Sequence, residues 1–248
     1  MNILVTGASS GIGYAVAEAL ASRGHRVIAV ARTFSLLDSL NQKYKDRVDV
    51  IVADISTLSG CDKVVEFVGE KIKALDCLVH AAGSQVDPAH YQDLDATKIL
   101  ADMNIHVMTP ISLNNRLKQL LNQGRILYID SYSSNSPRSG WAGYSIVKAA
   151  AQMAARSAAD EIEDSRVIRV FPGAVCTPLV ERVINSEQRS ATVDMFNKMN
   201  SAGQITEPKI IGEFIANILL NATNSQLDER EYWDFHKPGD HIFSGNNI

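Results

Sequence analysis

A chain of 248 residues with 46% hydrophobic and 21% charged side chains can bury one large core, and that balance is usual for a soluble globular protein. A formal charge of −4 gives no basic footprint for nucleic acid, and no apolar run approaches a membrane span. Cys61, Cys77 and Cys176 are an odd, scattered set, and the six histidines give them no metal-ligand spacing. Reduced thiols, a cytoplasmic location and no metal are the expectation.

The first apolar run, "NILVT" (2–6), reads as a buried strand that leaves no room for a signal or transit peptide. Further runs follow at "RVIAVA" (26–31), "VDVIVA" (48–53), "LDCLVH" (75–80), "RILYID" (125–130) and "RVIRVF" (166–171), with a weaker seventh at "EYWDFH" (231–236). Near-continuous hydrophobicity means that both faces of each strand are covered, as in a parallel sheet between two layers of helix. Helical periodicity fills 12–23, 34–44, 57–73, 90–120, 143–163 and 208–221. The alternation predicts an α/β fold: one domain over 1–248, with a Rossmann-like, doubly wound parallel sheet of about seven strands and helices on both faces. The polar, partly helical segment 178–207 follows the sixth strand and is expected to form a lid or substrate-binding element.

Between the first strand and the first helix stands "TGASSGIG", with glycines at 7, 11 and 13. A tight turn and a close backbone approach to a pyrophosphate both call for Gly7, Gly11 and Gly13. Free N–H groups around Gly11, Ile12 and Gly13, helped by the helix dipole, would bind the anion, and Ser9 and Ser10 would add hydroxyls. Placed in the first βαβ unit, this turn points to a dinucleotide. An NAD site carries an acid at the end of the second strand, where this chain has Ala31 and then Arg32. An arginine there can fork onto a 2′-phosphate, so NADP(H) is expected over NAD(H), unless Arg32 is a solvated surface charge. Asp54 in "VADIS" is placed to meet the adenine, or to cap or turn into the next helix, as Ser56 could also do.

Tyr144 and Lys148 in "GYSIVKAAAQM" stand one helical turn apart and share a face. As surface decoration such a pair is worth a few tenths of a kcal/mol. Beside a bound nicotinamide, the ammonium would instead favour the phenolate and lower the tyrosine pKa, suiting proton exchange with a carbonyl oxygen. Alanines 149–151 would let the helix pack tightly against the sheet or a second subunit.

Taken together, "TGASSGIG", "HAAG" (80–83), Asn104 in "MNIHVMTP", Ser131 in "YIDSYSS", "YSIVK" (144–148) and "PGAVCT" (172–177) resemble the short-chain dehydrogenases/reductases in order and spacing over nearly the whole chain. The resemblance implies an oxidoreductase that transfers hydride between NADP(H) and a C=O or CH–OH group. Tyr144 would be its proton donor or acceptor, and Ser131 would hold and polarise the substrate oxygen. Lys148 would bind the nicotinamide ribose, and Asn104 would support a water linking Lys148 to solvent. Val175 and Thr177 would fix the carboxamide, and Ile55, Ala81 and Gly83 would complete the cofactor contacts. Assembly into a homodimer or homotetramer through helices near 95–120 and 143–163 is also implied. The "GWAGYSIVKAA" stretch is similar to sepiapterin- and benzil-reductase-like members.

The chain departs from the family pattern at His80 and Ala81, which replace two asparagines, at Asp130 before the serine, and in the ending "WDFHKPGDHIFSG". Asp130 would tune the site or pair with an arginine. His80 and His106 would enter the pocket or sit satisfied in the core, and Cys176 would be an oxidation-sensitive or an inert buried thiol. The remaining functional readings are an NAD-linked alcohol dehydrogenase and a non-catalytic NADP(H)-binding sensor or scaffold.

Overall fold

The computed structural model describes residues 1–84, 87–121 and 123–242, so the last residues of the "WDFHKPGDHIFSG" ending, 243–245, lie outside it. Its strands are β1 (Asn2–Thr6), β2 (Arg26–Ala31), β3 (Val48–Val52), β4 (Cys77–His80), β5 (Arg125–Ile129), β6 (Arg166–Phe171) and β7 (Trp233–Asp234). They form one sheet in the order β3-β2-β1-β4-β5-β6-β7, and every pairing is parallel. β1 lies between β2 and β4, with Thr6 opposite both Val30 and His80. The direction of strand addition therefore reverses beside Thr6, and a crevice opens there at the carboxyl ends.

The helices are α1 (Gly11–Ser22), α2 (Ser35–Lys43), α3 (Leu58–Lys71), α4 (Ala96–Met103), α5 (Thr109–Leu117), α6 (Ala142–Glu161), α7 (Pro178–Ile184), α8 (Ala191–Ser201), α9 (Pro208–Asn221) and α10 (Asn224–Asp228). Strand side chains alternate between two cores. Ile3 and Val5 face Val16, Leu20 and Ile215 of α1 and α9, whereas Leu4 and Ile28 face Val64, Leu113 and Ala155 of α3, α5 and α6. A Cβ at Gly212 would stand 2.6 Å from the Ala15 carbonyl carbon, so that glycine sets how closely α1 and α9 cross.

Two sequence-based expectations change, and the segment 178–207 gains detail. The predicted helix 90–120 is interrupted: Tyr91–Asp93 is an isolated 3-10 turn, and Asn104–Met108 widens into a π segment between α4 and α5. Pro110 has no N–H for the His106 carbonyl, and its ring crowds that position in a regular helix. The wider turn relieves this, and the Thr109 hydroxyl donates to the Asn104 carbonyl at 2.9 Å. The seventh strand shrinks to Trp233–Asp234, because the Asp234 carboxylate then accepts from the His236 N–H at 2.9 Å and turns the chain away. Segment 178–207 holds α7 and α8, and its far end is tied back where Val175 bridges Thr206, with Cys176 N–H on the Thr206 carbonyl at 2.9 Å.

Candidate active site

A cleft of about 940 Å³ runs along the carboxyl ends of the strands, from Arg32 and Asp54 at one end to Trp141 and Phe196 at the other. At its centre lies the turn into α1. Gly7 has φ +68°, and a Cβ there would stand 2.5 Å from the Ala82 Cα. Gly13 packs in the same way on the Gly7 carbonyl, so these two glycines serve protein–protein closeness. Gly11, at φ +55°, would meet only the Thr177 side chain, and it lines the cleft together with Gly7. Ser10 occupies the N-cap position of α1 without a side-chain cap, so the first N–H groups of the helix remain available to an anion. Thr6 supports the facing loop: its hydroxyl donates to the Val79 carbonyl and accepts from the N–H groups of Ala81 and Ala82, each at 3.2 Å.

Arg32 is exposed at the cleft edge beside Asp54. Asp54 accepts from the Ser56 hydroxyl at 2.7 Å and from the Ser56 N–H at 3.1 Å, while Thr57 caps α3. Those bonds, with a smaller contribution from Arg32, hold the Asp54 carboxyl below its usual range. Ser9, Ser10, Ile12, Ile55, Ala81, Gly83, Val175 and Thr177 also line the cleft. Gly13, Asn104 and Cys176 are not among its lining residues. Asn104 opens the π segment and offers its carbonyl to Thr109, while the next two residues, Ile105 and His106, reach the cleft.

Ser131 follows β5, and Tyr144 and Lys148 sit in the first turns of α6; all three line the cleft. The Tyr144 ring stacks on Trp141 with centroids 4.7 Å apart, and Trp141 meets Phe196 edge-on at 5.1 Å. The Lys148 ammonium is buried and donates to the Ile129 carbonyl at 2.7 Å. Burial pushes the Tyr144 phenol up to about 12, partly offset by a hydrogen bond with Ser131, and the Asp130 and Asp102 carboxylates push the same way as burial. The expected lowering by Lys148 was for a site holding the nicotinamide, whereas this shift belongs to the chain without it. In the protein alone, removing the phenolate from water outweighs its neighbours, and burial also draws the Lys148 ammonium down.

In three arrangements the sequence left the partners unidentified. Asp130 is paired with Arg169, whose Nη2 and Nε donate to one carboxylate oxygen at 2.9 and 3.1 Å, both side chains being buried. The other Asp130 oxygen accepts from the Ser131 N–H at 2.7 Å, so the ion pair fixes the backbone of the serine. His80 meets the Asn114 amide oxygen at 2.9 Å, and the Asn114 nitrogen donates to the Tyr128 hydroxyl at 2.6 Å. That network ties the end of β4 to α5 and β5. His106 is held by the Ser84 backbone carbonyl at 2.8 Å, and the Ser84 hydroxyl donates to Asp102. Burial pushes His80 down to about 4 and His106 down to about 3, so both rings are neutral at pH 7. The unusual residues His80 and Asp130 were the only signals, since their partners lie on other strands and helices.

Residues 1–188 match the protein-family model described as short chain dehydrogenase. An uncharacterized oxidoreductase of Staphylococcus saprophyticus is 33% identical over 185 residues, 71% of this chain and 79% of its own. A 3-oxoacyl-[acyl-carrier-protein] reductase of Vibrio cholerae is 28% identical and covers 86% of this chain and 87% of its own. Among solved structures, a short-chain dehydrogenase/reductase of Saccharomyces cerevisiae superposes with a TM-score of 0.88 at 25% identity, over 96% of this chain and 97% of that one.

The His80 network sets a pH dependence. Below its ordinary pKa of 6.5, the unfolded imidazole takes up a proton that the folded one refuses until about pH 4. Stability therefore falls as the pH is lowered across that window, by up to about 1.4 kcal/mol per unit from this residue. Urea unfolding at pH 7 and pH 5 should show His80→Asn losing about 1–2 kcal/mol less than the native chain; equal losses would show that the ring titrates as it does when unfolded.

Proposed function

The chain belongs to the short-chain dehydrogenase/reductase family, and on that premise we propose that it is an NADPH-dependent carbonyl reductase acting reversibly on a ketone, aldehyde or secondary alcohol. One observation carries the reading: a buried phenol, Tyr144, with Ser131 on its hydroxyl and Lys148 one turn away, opens on a cleft that also holds an uncapped helix start. A nicotinamide dinucleotide bound along that cleft supplies the hydride.

The residues fit such a cofactor from end to end. Arg32 meets the 2′-phosphate and Asp54 lies at the adenine. The N–H groups that open α1 hold the pyrophosphate, and Val175 and Thr177 orient the carboxamide. Lys148 holds the nicotinamide ribose. Ser131 donates to the carbonyl oxygen and polarises it, and Tyr144 delivers its proton there as negative charge develops. A phenol raised by burial keeps that proton at pH 7, the form that reduction needs. The phenolate left behind lies near the Lys148 ammonium and is reprotonated from solvent; Asn104, set at the π segment, supports that route through its water.

Segment 178–207 acts as the substrate lid, since α7 and α8 pack Val180, Val183 and Phe196 against Trp141 and Tyr144. The local likeness of "GWAGYSIVKAA" to sepiapterin- and benzil-reductase-like members agrees with a bulky apolar carbonyl compound. The chain works in the cytoplasm on small molecules, with no nucleic-acid or membrane partner. Among the described residues no helix is long and apolar enough to cross a membrane, and the three cysteines are unpaired. Leu100, Met108, Ile111, Ile146 and Met153 are exposed on α4, the π segment, α5 and α6, and a second copy covers them in a homodimer that could pair again into a tetramer.

Each part has its measurement. With NADPH and a carbonyl panel, Tyr144→Phe should cut kcat by about a thousandfold or more while the NADPH Kd stays within about threefold; retained turnover removes Tyr144 from the chemistry. Arg32→Ala should weaken NADPH about 10–100-fold and leave NADH nearly unchanged, whereas an NADPH preference that outlives Arg32 has another cause. Light scattering should show that Met108→Glu with Met153→Glu turns the oligomer into a monomer; an unchanged mass places the interface elsewhere.

A further inference from the structure

We propose, building on the carbonyl-reductase reading, that the substrate joins an apolar or aromatic body to a carboxylate, and that Arg138 is the anchor for that carboxylate. The turn that opens α6 runs from Arg138 to Trp141, with the Trp141 N–H on the Arg138 carbonyl at 3.0 Å. It is clamped to α8, where the Thr192 hydroxyl donates to the Ser139 carbonyl at 2.8 Å. Arg138 is half-buried and lines the cleft, and its guanidinium donates to the Met195 sulfur at 3.4 Å. No carboxylate pairs with it among the described residues. A thioether is a weak acceptor, so five donors in a fixed fork stand almost unserved at the wall of the reacting compartment.

A second observation points the same way. The indole Nε1–H of Trp141, buried beside Tyr144, has no hydrogen-bond partner among the described residues. Such a donor costs free energy unless something supplies an acceptor. Around the two donors the walls are apolar: Phe196, Met195 and Val180. The Arg138 guanidinium therefore stands beside an apolar lining, which is complementary to a ligand that brings an anionic acceptor on a hydrophobic body. Arg32 is the cation of the opposite end of the cleft, beside Asp54, and Arg182 is exposed next to Glu181 on α7. Arg32 and Arg182 are exposed where Arg138 is half-buried, and one half-buried guanidinium suits one carboxylate better than a dianionic phosphate.

The test separates the anchor from the reaction. Titration calorimetry on the NADPH-loaded protein uses phenylacetate and phenylacetamide, which match in body and differ in charge. The native chain should bind the acid at least about tenfold more tightly than the amide, and in Arg138→Met the ratio should fall to about one. Arg138→Lys should restore part of the preference, because it keeps the charge and loses the fork. Equal binding of acid and amide by the native chain, no binding of either, or a preference that survives Arg138→Met overturns the proposal. NADPH consumption with charged and neutral aryl ketones is followed in parallel. If the acid preference collapses while carbonyls are still reduced, the anchor alone is wrong. If no carbonyl is reduced while the preference holds, the reductase reading falls, and with it the assignment of the anion as substrate.

Discussion

The site depends on keeping one ammonium out of water. Lys148 is buried, and a buried charge is tolerated only where polar groups compensate it. The Ile129 carbonyl at the end of β5 accepts from it at 2.7 Å, and the Asp130 carboxylate next along the chain favours its charged form. Asp130 is itself buried and is compensated by Arg169 on β6. A chain of compensation therefore runs from α6 through the end of β5 to β6. The Ser131 backbone hangs on the same carboxylate, so the serine and the lysine are positioned by one arrangement. Gln152, one turn beyond Lys148, donates to Asp130 at 3.3 Å and to the Ser134 hydroxyl at 2.7 Å and closes the loop onto α6.

The same economy of space governs the other half of the cleft. Thr6, at the switch between β2 and β4, holds the Ala81–Ala82 loop through two hydrogen bonds and β4 through a third, and Gly7 lets that loop approach. The helix start faces outward because Gly13 packs inward on Gly7. The free N–H groups at the start of α1 thus follow from backbone packing, left over once the helix has formed. The neutral His80 extends that packing to Asn114 and Tyr128, where the family pattern places asparagine.

Much of this was legible in the residues. The Val-, Ile- and Leu-rich runs gave β1, β2 and β6 residue for residue, because strands buried on both faces leave no polar interruption. Tyr144 and Lys148 were legible because helical spacing is local. The break at Asn104–Met108 was harder: Pro110 marks trouble, but whether a helix kinks, ends or widens depends on what its neighbours accept. The two-residue β7 depended on a turn held by Asp234 and Asp240, which periodicity does not report. The partners of Asp130, His80 and His106 lie 39, 34 and 22 residues away, and no short-range pattern connects them.

By itself the sequence determined the parallel sheet, the glycine turn at the first helix and the shared helix face of Tyr144 and Lys148, because each is written in spacing along one element. Only the tertiary structure decided that Gly13 is turned away from the cleft that Gly7 and Gly11 line, that Asn104 begins a π segment, and that Asp130 is tied to Arg169. It also decided the direction in which Tyr144 is shifted. The phenol's acidity is a balance between water lost and charges gained, and that balance exists only once distant segments have closed around it.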